Sequence, residues 1–132
     1  MKRYLPQLVL VLLVVALAPA ALAAEHTKDS LDTVKKNLKE KKAVLFDVRE
    51  LREWNAGHLK QAVLVPLSKL RGGTDPASIV KGLKKDIIIY CHCRRGGRAL
   101  RATDLARKLG YDMRPLKFGY ADLLDAGFEK AK

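Results

Sequence analysis

Short, largely apolar segments alternate along this chain with segments whose apolar residues recur at helical spacing. Apolar runs at 43–48, 62–66 and 86–91 predict three strands, and a weaker run at 112–116 predicts a fourth. Strands that are apolar throughout are typical of parallel sheets, which are covered on both faces. The pattern therefore predicts a three-layer α/β domain around a parallel sheet of four to five strands.

The intervening segments carry the features of helices. Leu31, Val34 and Leu38 recur three and four residues apart, and Asp29 or Ser30 can serve as the N-cap. One helical turn is predicted within 49–58, before a loop at Gly57, and a second helix begins at Asp75 and Pro76. A longer helix is predicted over 98–110, with Leu100, Leu105 and Leu109 on one face. A short final helix is predicted over 119–128.

The first two dozen residues have the pattern of a secretory leader rather than of a folded domain. Lys2 and Arg3 precede the apolar stretch 8–18, and small residues follow, with Ala21 and Ala23 in an A-x-A arrangement. We expect a signal peptide at 1–24, a domain at 25–132, and a periplasmic or secreted product with no stable membrane association after cleavage. An uncleaved anchor is the alternative, although the apolar stretch is short against the ~20 residues that span a bilayer.

The chain is strongly basic, with a formal net charge of +12 that falls to +10 once Lys2 and Arg3 leave with the leader. Such a charge can attract nucleic acid, anionic lipid or small anions. The chain contains only 3 Phe, 4 Tyr and 1 Trp, so it lacks the aromatic residues interleaved with basic ones that bind single strands. We expect no nucleic-acid partner and a solvated surface for most lysines.

Both cysteines of the chain lie two residues apart, at Cys91 and Cys93. A disulfide between them would close a tiny, strained ring and would stabilise the fold little, although a reversible regulatory bond remains open. Cys91 falls within an apolar strand and is expected in the core. Cys93 follows the strand, where parallel α/β sheets bind their ligands.

The residues after Cys93 favour a reactive sulfur. Gly96 and Gly97 allow a tight turn whose N–H groups converge, and the helix expected from Arg98 adds the positive end of its dipole. Arg94, Arg95 and Arg98 add positive charge. Each feature stabilises a thiolate, and the same donors suit an anionic substrate or a persulfide.

The segment C-R-R-G-G-R, 93–98, matches the C-x-x-G-x-R active loop of rhodanese-like sulfurtransferases. The stretch 43–70 resembles that family's D-V-R-E, G-H-I and I-P-L block, and 98–128 resembles its K-L-G-Y and L-x-G-G-x-x-x-W-x-x-A-G segments. The likeness covers about 30–128. Together with the leader, it resembles the small exported, phage-shock type of rhodanese.

This resemblance implies a sulfur relay without a metal or other cofactor. Cys93 would take sulfur from a small anionic donor such as thiosulfate and pass it to a thiol, or to cyanide in an assay. Gly96, Gly97 and Arg98 would stabilise the persulfide, and Arg94 and Arg95 would attract the donor. The resemblance assigns supporting positions to Asp47 and Arg49, favoured as a structural ion pair, and to His58, favoured as a hydrogen-bonded loop histidine.

The chain departs from the family pattern at three places. His92 stands before the nucleophile where the family usually has tyrosine, 57–62 reads G-H-L-K-Q-A, and 117–124 lacks one glycine and the tryptophan. If the C-x-x-G-x-R motif were aligned on Cys91 instead of Cys93, Arg94 would stand at the glycine position. Cys91 therefore does not fit the motif.

Two other functional classes stay open at this point. Phosphatases and arsenate reductases of the same fold use H-C-x5-R, but here the arginine comes five residues after Cys93 and Ala99 comes sixth. A metal carrier could use Cys91, His92 and Cys93, although no second pair of ligands is visible.

Overall fold

A computed structural model of the chain describes residue 16 and residues 22–132. Its centre is a four-stranded parallel sheet in the order β2-β1-β3-β4. The strands are β1 Ala43–Asp47, β2 Ala62–Leu64, β3 Ile88–His92 and β4 Asp112–Pro115. The predicted parallel sheet is confirmed, with four strands where four to five were expected.

Helices connect and cover the strands, and their ends follow from local sequence. Ser30 caps the first helix by accepting the N–H of Thr33, and Asp75 caps the fourth by accepting the N–H of Ala77. The helices are α1 Leu31–Lys39, α2 Leu51–Ala56, α3 Leu67–Arg71, α4 Pro76–Ile79, α5 Gly97–Lys108 and α6 Tyr120–Asp125.

Helix α3 was not predicted from the sequence. It begins directly after Pro66, where the sequence pattern predicts only the end of a strand, and it is a little over one turn long. Its apolar residues Leu67 and Leu70 are buried against the sheet. A five-residue helix has too few periodic positions for its pattern to stand out.

Alternating strand residues divide the core into two halves, one on each face of the sheet. Phe46, Ile89 and Met113 belong to the half that packs against α3 and α5, while Leu45 and Tyr90 belong to the half that packs against α1 and α6. This is the predicted three-layer arrangement, and it buries the central strands on both faces.

The leucines expected on one face of α5, Leu100, Leu105 and Leu109, are not its fully buried residues, although Leu105 packs against the core. Its fully buried residues are Ala99, Ala102, Thr103 and Ala106, whereas Leu109 is 41% exposed. Small side chains allow the helix to lie close to the sheet, so steric fit outweighs hydrophobicity in choosing the face.

The strand order creates the position for a site. The chain leaves β1 toward β2 on one side and leaves β3 toward β4 on the other, so the two central strands open a crevice at their carboxyl ends. Asp47 ends β1 opposite His92, which ends β3, and the N–H of Val48 donates to the carbonyl of His92 at 3.0 Å. Cys93 follows immediately.

The predicted leader at 1–24 lies outside the described residues, except for residues 16 and 22–24. Within the described part of the chain, no helix is long and apolar enough to cross a membrane.

Candidate active site

Cys93 lies at the base of a tight loop between β3 and α5. The N–H of Gly96 donates to its Sγ at 3.0 Å, and the residue is 1% exposed. Gly96 has φ 97°, in the left-handed region that favours glycine, and α5 begins at Gly97. The structure thus places the cysteine sulfur, the turn and the start of a 12-residue helix together, in the arrangement that stabilises a negatively charged atom.

The two arginines that follow Cys93 are exposed and line an open pocket of about 500 Å³. The remaining lining residues come from α2, from the end of β1 and from the start of α6: Arg49, Glu53, Ala56, Tyr120, Ala121 and Asp122. Arg94 and Arg95 therefore extend from the loop into the pocket, where an anion could approach.

Arg98 has a different environment from these two arginines. Its guanidinium makes a two-pronged ion pair with Glu53 of α2, at 2.5 and 2.9 Å. The hydrogen bond from Arg98 lowers the pKa of Glu53 to about 2, so that this carboxylate is charged at any physiological pH. Arg98 thus connects the active loop to α2, and much of its charge is balanced there.

Asp47 and Arg49 form a buried ion pair beside the loop. Arg49 donates to Asp47 from Nε at 3.0 Å and from Nη2 at 2.8 Å, and Nη2 also donates to the carbonyl of Gly57 at 2.7 Å. The guanidinium lies 4.3 Å from the centroid of the Tyr120 ring. These contacts fix the wall of the pocket through β1, α2 and α6 together.

His58 lies in the turn after α2. Its ring stacks on Trp54 with 3.6 Å between centroids, and its Nδ1 is 3.0 Å from the carbonyl oxygen of Trp54. Both ring contacts hold the turn in place.

Gly119 and Tyr120 belong to the site but were not named by the sequence reasoning. The N–H of Tyr120 donates to the carbonyl of Cys93 at 2.9 Å, and a Cβ added to Gly119 would lie 1.7 Å from the carbonyl oxygen of Arg94. The chain before α6 therefore crosses directly over the active loop, at a separation that only glycine permits. The partial L-x-G-G likeness at 116–119 was the signal that could have found it.

A comparison with protein-family models matches residues 30–126 to the rhodanese-like domain. The match covers most of the chain and includes β1, the active loop and α6. The chain belongs to the rhodanese-like domain family.

Relatives of this rhodanese-like chain carry sulfurtransferase names. Human thiosulfate:glutathione sulfurtransferase is 37% identical over 90 residues, which cover 62% of this chain and 78% of that protein. The structure of the human single-domain sulfurtransferase TSTD1 superimposes with a TM-score of 0.65 at 33% identity, covering 74% of this chain and 94% of that one. The Saccharomyces cerevisiae single-domain sulfurtransferase RDL2 shares the fold, with a TM-score of 0.61 at 23% identity, covering 76% of this chain and 94% of its own. The protein is therefore an enzyme of the sulfurtransferase type.

Cys91 and His92, which precede Cys93 in this rhodanese-like domain, do not line the pocket. Cys91 is fully buried, its Sγ lies 3.5 Å from the Thr103 hydroxyl, and burial raises the pKa of its thiol to about 12. His92 lies on the opposite face of the strand, with Nε2 3.8 Å from Asp47, and burial lowers its pKa. Strand alternation thus separates the Cys-His-Cys side chains. Among the described residues, no group of three or more His, Cys, Asp or Glu is placed to hold a metal ion.

Proposed function

We propose that Cys93 carries sulfane sulfur from thiosulfate, or a related anionic donor, to a thiol acceptor. In the first step the Cys93 thiolate attacks the outer sulfur of thiosulfate. The new S–S bond forms as the bond between the two donor sulfurs breaks, and sulfite leaves with the electron pair. The product is a Cys93 persulfide anion.

In the second step an acceptor thiolate attacks the outer sulfur of this persulfide. The bond to Cys93 breaks, the Cys93 thiolate is regenerated, and the acceptor leaves as a persulfide; cyanide would leave as thiocyanate. Glutathione is the acceptor in the name of the human relative. A pocket of about 500 Å³ lined by both guanidinium and carboxylate groups suits a thiol that carries charges of both signs.

The observation that carries this proposal is the 3.0 Å hydrogen bond from the Gly96 N–H to Cys93 Sγ at the N-terminus of α5. A donor at this distance stabilises an anionic sulfur in both the thiolate and the persulfide state. Arg94 and Arg95 line the adjacent pocket and would raise the local concentration of a dianionic donor.

The test is the intact mass of the purified protein after thiosulfate treatment. We expect one added sulfur atom, which cyanide removes. Cys93→Ser should abolish both the adduct and thiosulfate:cyanide transfer, while the matched variant Cys91→Ser keeps most of both. An adduct that survives Cys93→Ser and disappears in Cys91→Ser would reverse the assignment.

The proposal extends to an exported enzyme of the phage-shock type, located in the periplasm or secreted. It is supported by the leader pattern at 1–24 and by the basic start at Lys2 and Arg3. N-terminal sequencing of the protein from an extracytoplasmic fraction should find a start at Ala24 or Glu25. An intact Met1 in a membrane fraction would instead show a retained anchor.

A further inference from the structure

The segment that precedes α1 lies across the active loop and is held there at several points. The Thr27 N–H donates to the carbonyl of Pro115 at 2.8 Å. Asp29 accepts hydrogen bonds from the Tyr90 hydroxyl and from Arg114, at 2.6 and 3.0 Å. His26, directly before Thr27, contacts the loop itself.

The contact joins His26 Nε2 to the carbonyl oxygen of Gly96, at 3.1 Å. A carbonyl oxygen only accepts hydrogen bonds, so Nε2 must carry the hydrogen and donate. The same oxygen accepts the N–H of Leu100 at 3.3 Å, as the first turn of α5 requires. His26 therefore donates to the second lone pair of the Gly96 carbonyl oxygen, whose first lone pair accepts the first backbone hydrogen bond of α5.

The orientation of this carbonyl determines the direction of a neighbouring donor. In a planar trans peptide the Gly96 carbonyl and the Gly97 N–H point in opposite directions. Holding the oxygen toward His26 and Leu100 turns the Gly97 N–H away from them, back toward the N-terminal end of α5, where Cys93 lies. The peptide plane on the other side of Gly96 already donates to the sulfur.

Two consecutive glycines would otherwise leave these planes poorly constrained, because glycine has the widest range of backbone conformations. His26 also restricts Gly96 by packing. Its Nε2 lies 2.9 Å, and its Cε1 3.4 Å, from the position a Cβ of Gly96 would occupy. The imidazole thus fills the space beside Gly96 and hydrogen-bonds its carbonyl at once.

We propose that His26 is a positioning residue of the active loop. Its imidazole holds the Gly96–Gly97 peptide so that the loop N–H groups stay directed at the Cys93 sulfur. This role rests on the proposed function of Cys93 as the sulfur carrier. Because His26 does not line the pocket beside Arg94 and Arg95, it acts on the reactivity of the sulfur and leaves donor binding unchanged.

The test compares His26→Ala, His26→Gln and the matched control Thr27→Ala. This control removes a hydrogen bond within the same segment, from the Asp29 N–H to the Thr27 hydroxyl, but keeps the backbone hydrogen bond to Pro115. The readouts are the rate of Cys93 alkylation by iodoacetamide, mapped by peptide mass, and kcat and KM for thiosulfate. His26→Ala should slow alkylation and kcat by about 3- to 10-fold, the loss expected for one ordinary hydrogen bond. KM should stay within about twofold, since this bond makes no donor contact. His26→Gln, whose amide N–H can reach the same carbonyl, should recover at least half of the lost rate.

Equal rates in His26→Ala and Thr27→Ala would overturn the positioning role while leaving the proposed function intact. A wild-type protein that transfers no sulfur, yet loses Cys93 alkylation rate in His26→Ala, would reject the proposed function and retain the positioning role. Should His26→Ala unfold, His26→Gln decides: a folded Gln variant with a rate below about half of wild type contradicts the proposal.

Discussion

Replacing Gly119 with alanine tests the close crossing of two chain segments that shapes the active loop. The added Cβ would lie 1.7 Å from the Arg94 carbonyl oxygen and 2.5 Å from its carbonyl carbon. Ordinary contact begins at 3.4 Å, so backbone atoms of one segment must move by more than 1 Å. No side-chain rotation can relieve the overlap, because both contacting atoms belong to the Arg94 backbone.

The displaced segment begins one residue after Cys93. A misplacement of about 1 Å can cost about 100-fold in rate, so we expect kcat/KM for thiosulfate to fall at least that far in Gly119→Ala. That loss corresponds to about 2.7 kcal/mol of transition-state stabilisation. Overpacking should also destabilise the fold by about 1–3 kcal/mol.

The assay is thiosulfate:cyanide transfer together with a thermal melt. Gly72→Ala is the matched control, because an alanine Cβ there would make only 3.5 Å contacts and Gly72 has an ordinary φ of −76°. Gly72→Ala should keep wild-type activity. Wild-type transfer and melting temperature in Gly119→Ala would refute the crossing and the loop geometry built on it.

Four further predictions follow from individual contacts. Arg95→Ala should raise KM for thiosulfate about 3- to 10-fold by removing an exposed pocket charge, whereas Arg98→Ala should mainly lower kcat because Arg98 fixes the loop to α2. Equal effects of the two variants on KM would contradict these separate roles. The Glu53–Arg98 pair should stabilise the fold by about 1 kcal/mol above pH 4.5, after solvent screening, and this stabilisation should be lost as the pH falls toward 2. The melting temperature of Glu53→Gln should therefore differ from that of wild type more at pH 7 than at pH 3. At pH 9, iodoacetamide should label Cys93 but should label Cys91 only after denaturation, since burial keeps the Cys91 thiol protonated. Labelling of Cys91 in the folded protein at this pH would show that the core around Cys91 opens to solvent. Asp47→Ala should lower the free energy of unfolding by about 3–5 kcal/mol, because it leaves the Arg49 charge buried without its partner. A loss under 1 kcal/mol in a denaturant titration would show that the Asp47–Arg49 pair is not buried in solution.

The sheet, its parallel direction and the place of Cys93 at the end of a strand could be predicted from local sequence patterns. Apolar runs bounded by glycine, proline and capping residues are local signals, so strands and most helices could be placed within a few residues. The resemblance of C-R-R-G-G-R to the family's C-x-x-G-x-R loop favours Cys93 over Cys91 as the nucleophile, because only an alignment on Cys93 matches the glycine and the arginine. The core position of Cys91 followed from its place in an apolar strand, and the structure confirms it.

The surroundings of the Cys93 sulfur, in contrast, depend on contacts between segments that are distant in the sequence. His26 contacts Gly96 across 70 positions, and Glu53 pairs with Arg98 across 45. Gly119 approaches Arg94 only because α6 starts above the loop. The fully buried face of α5, formed by small residues, could not be predicted from the leucine spacing for the same reason. Such contacts depend on how separate segments pack in space, and a local pattern of polar and apolar residues does not carry that information.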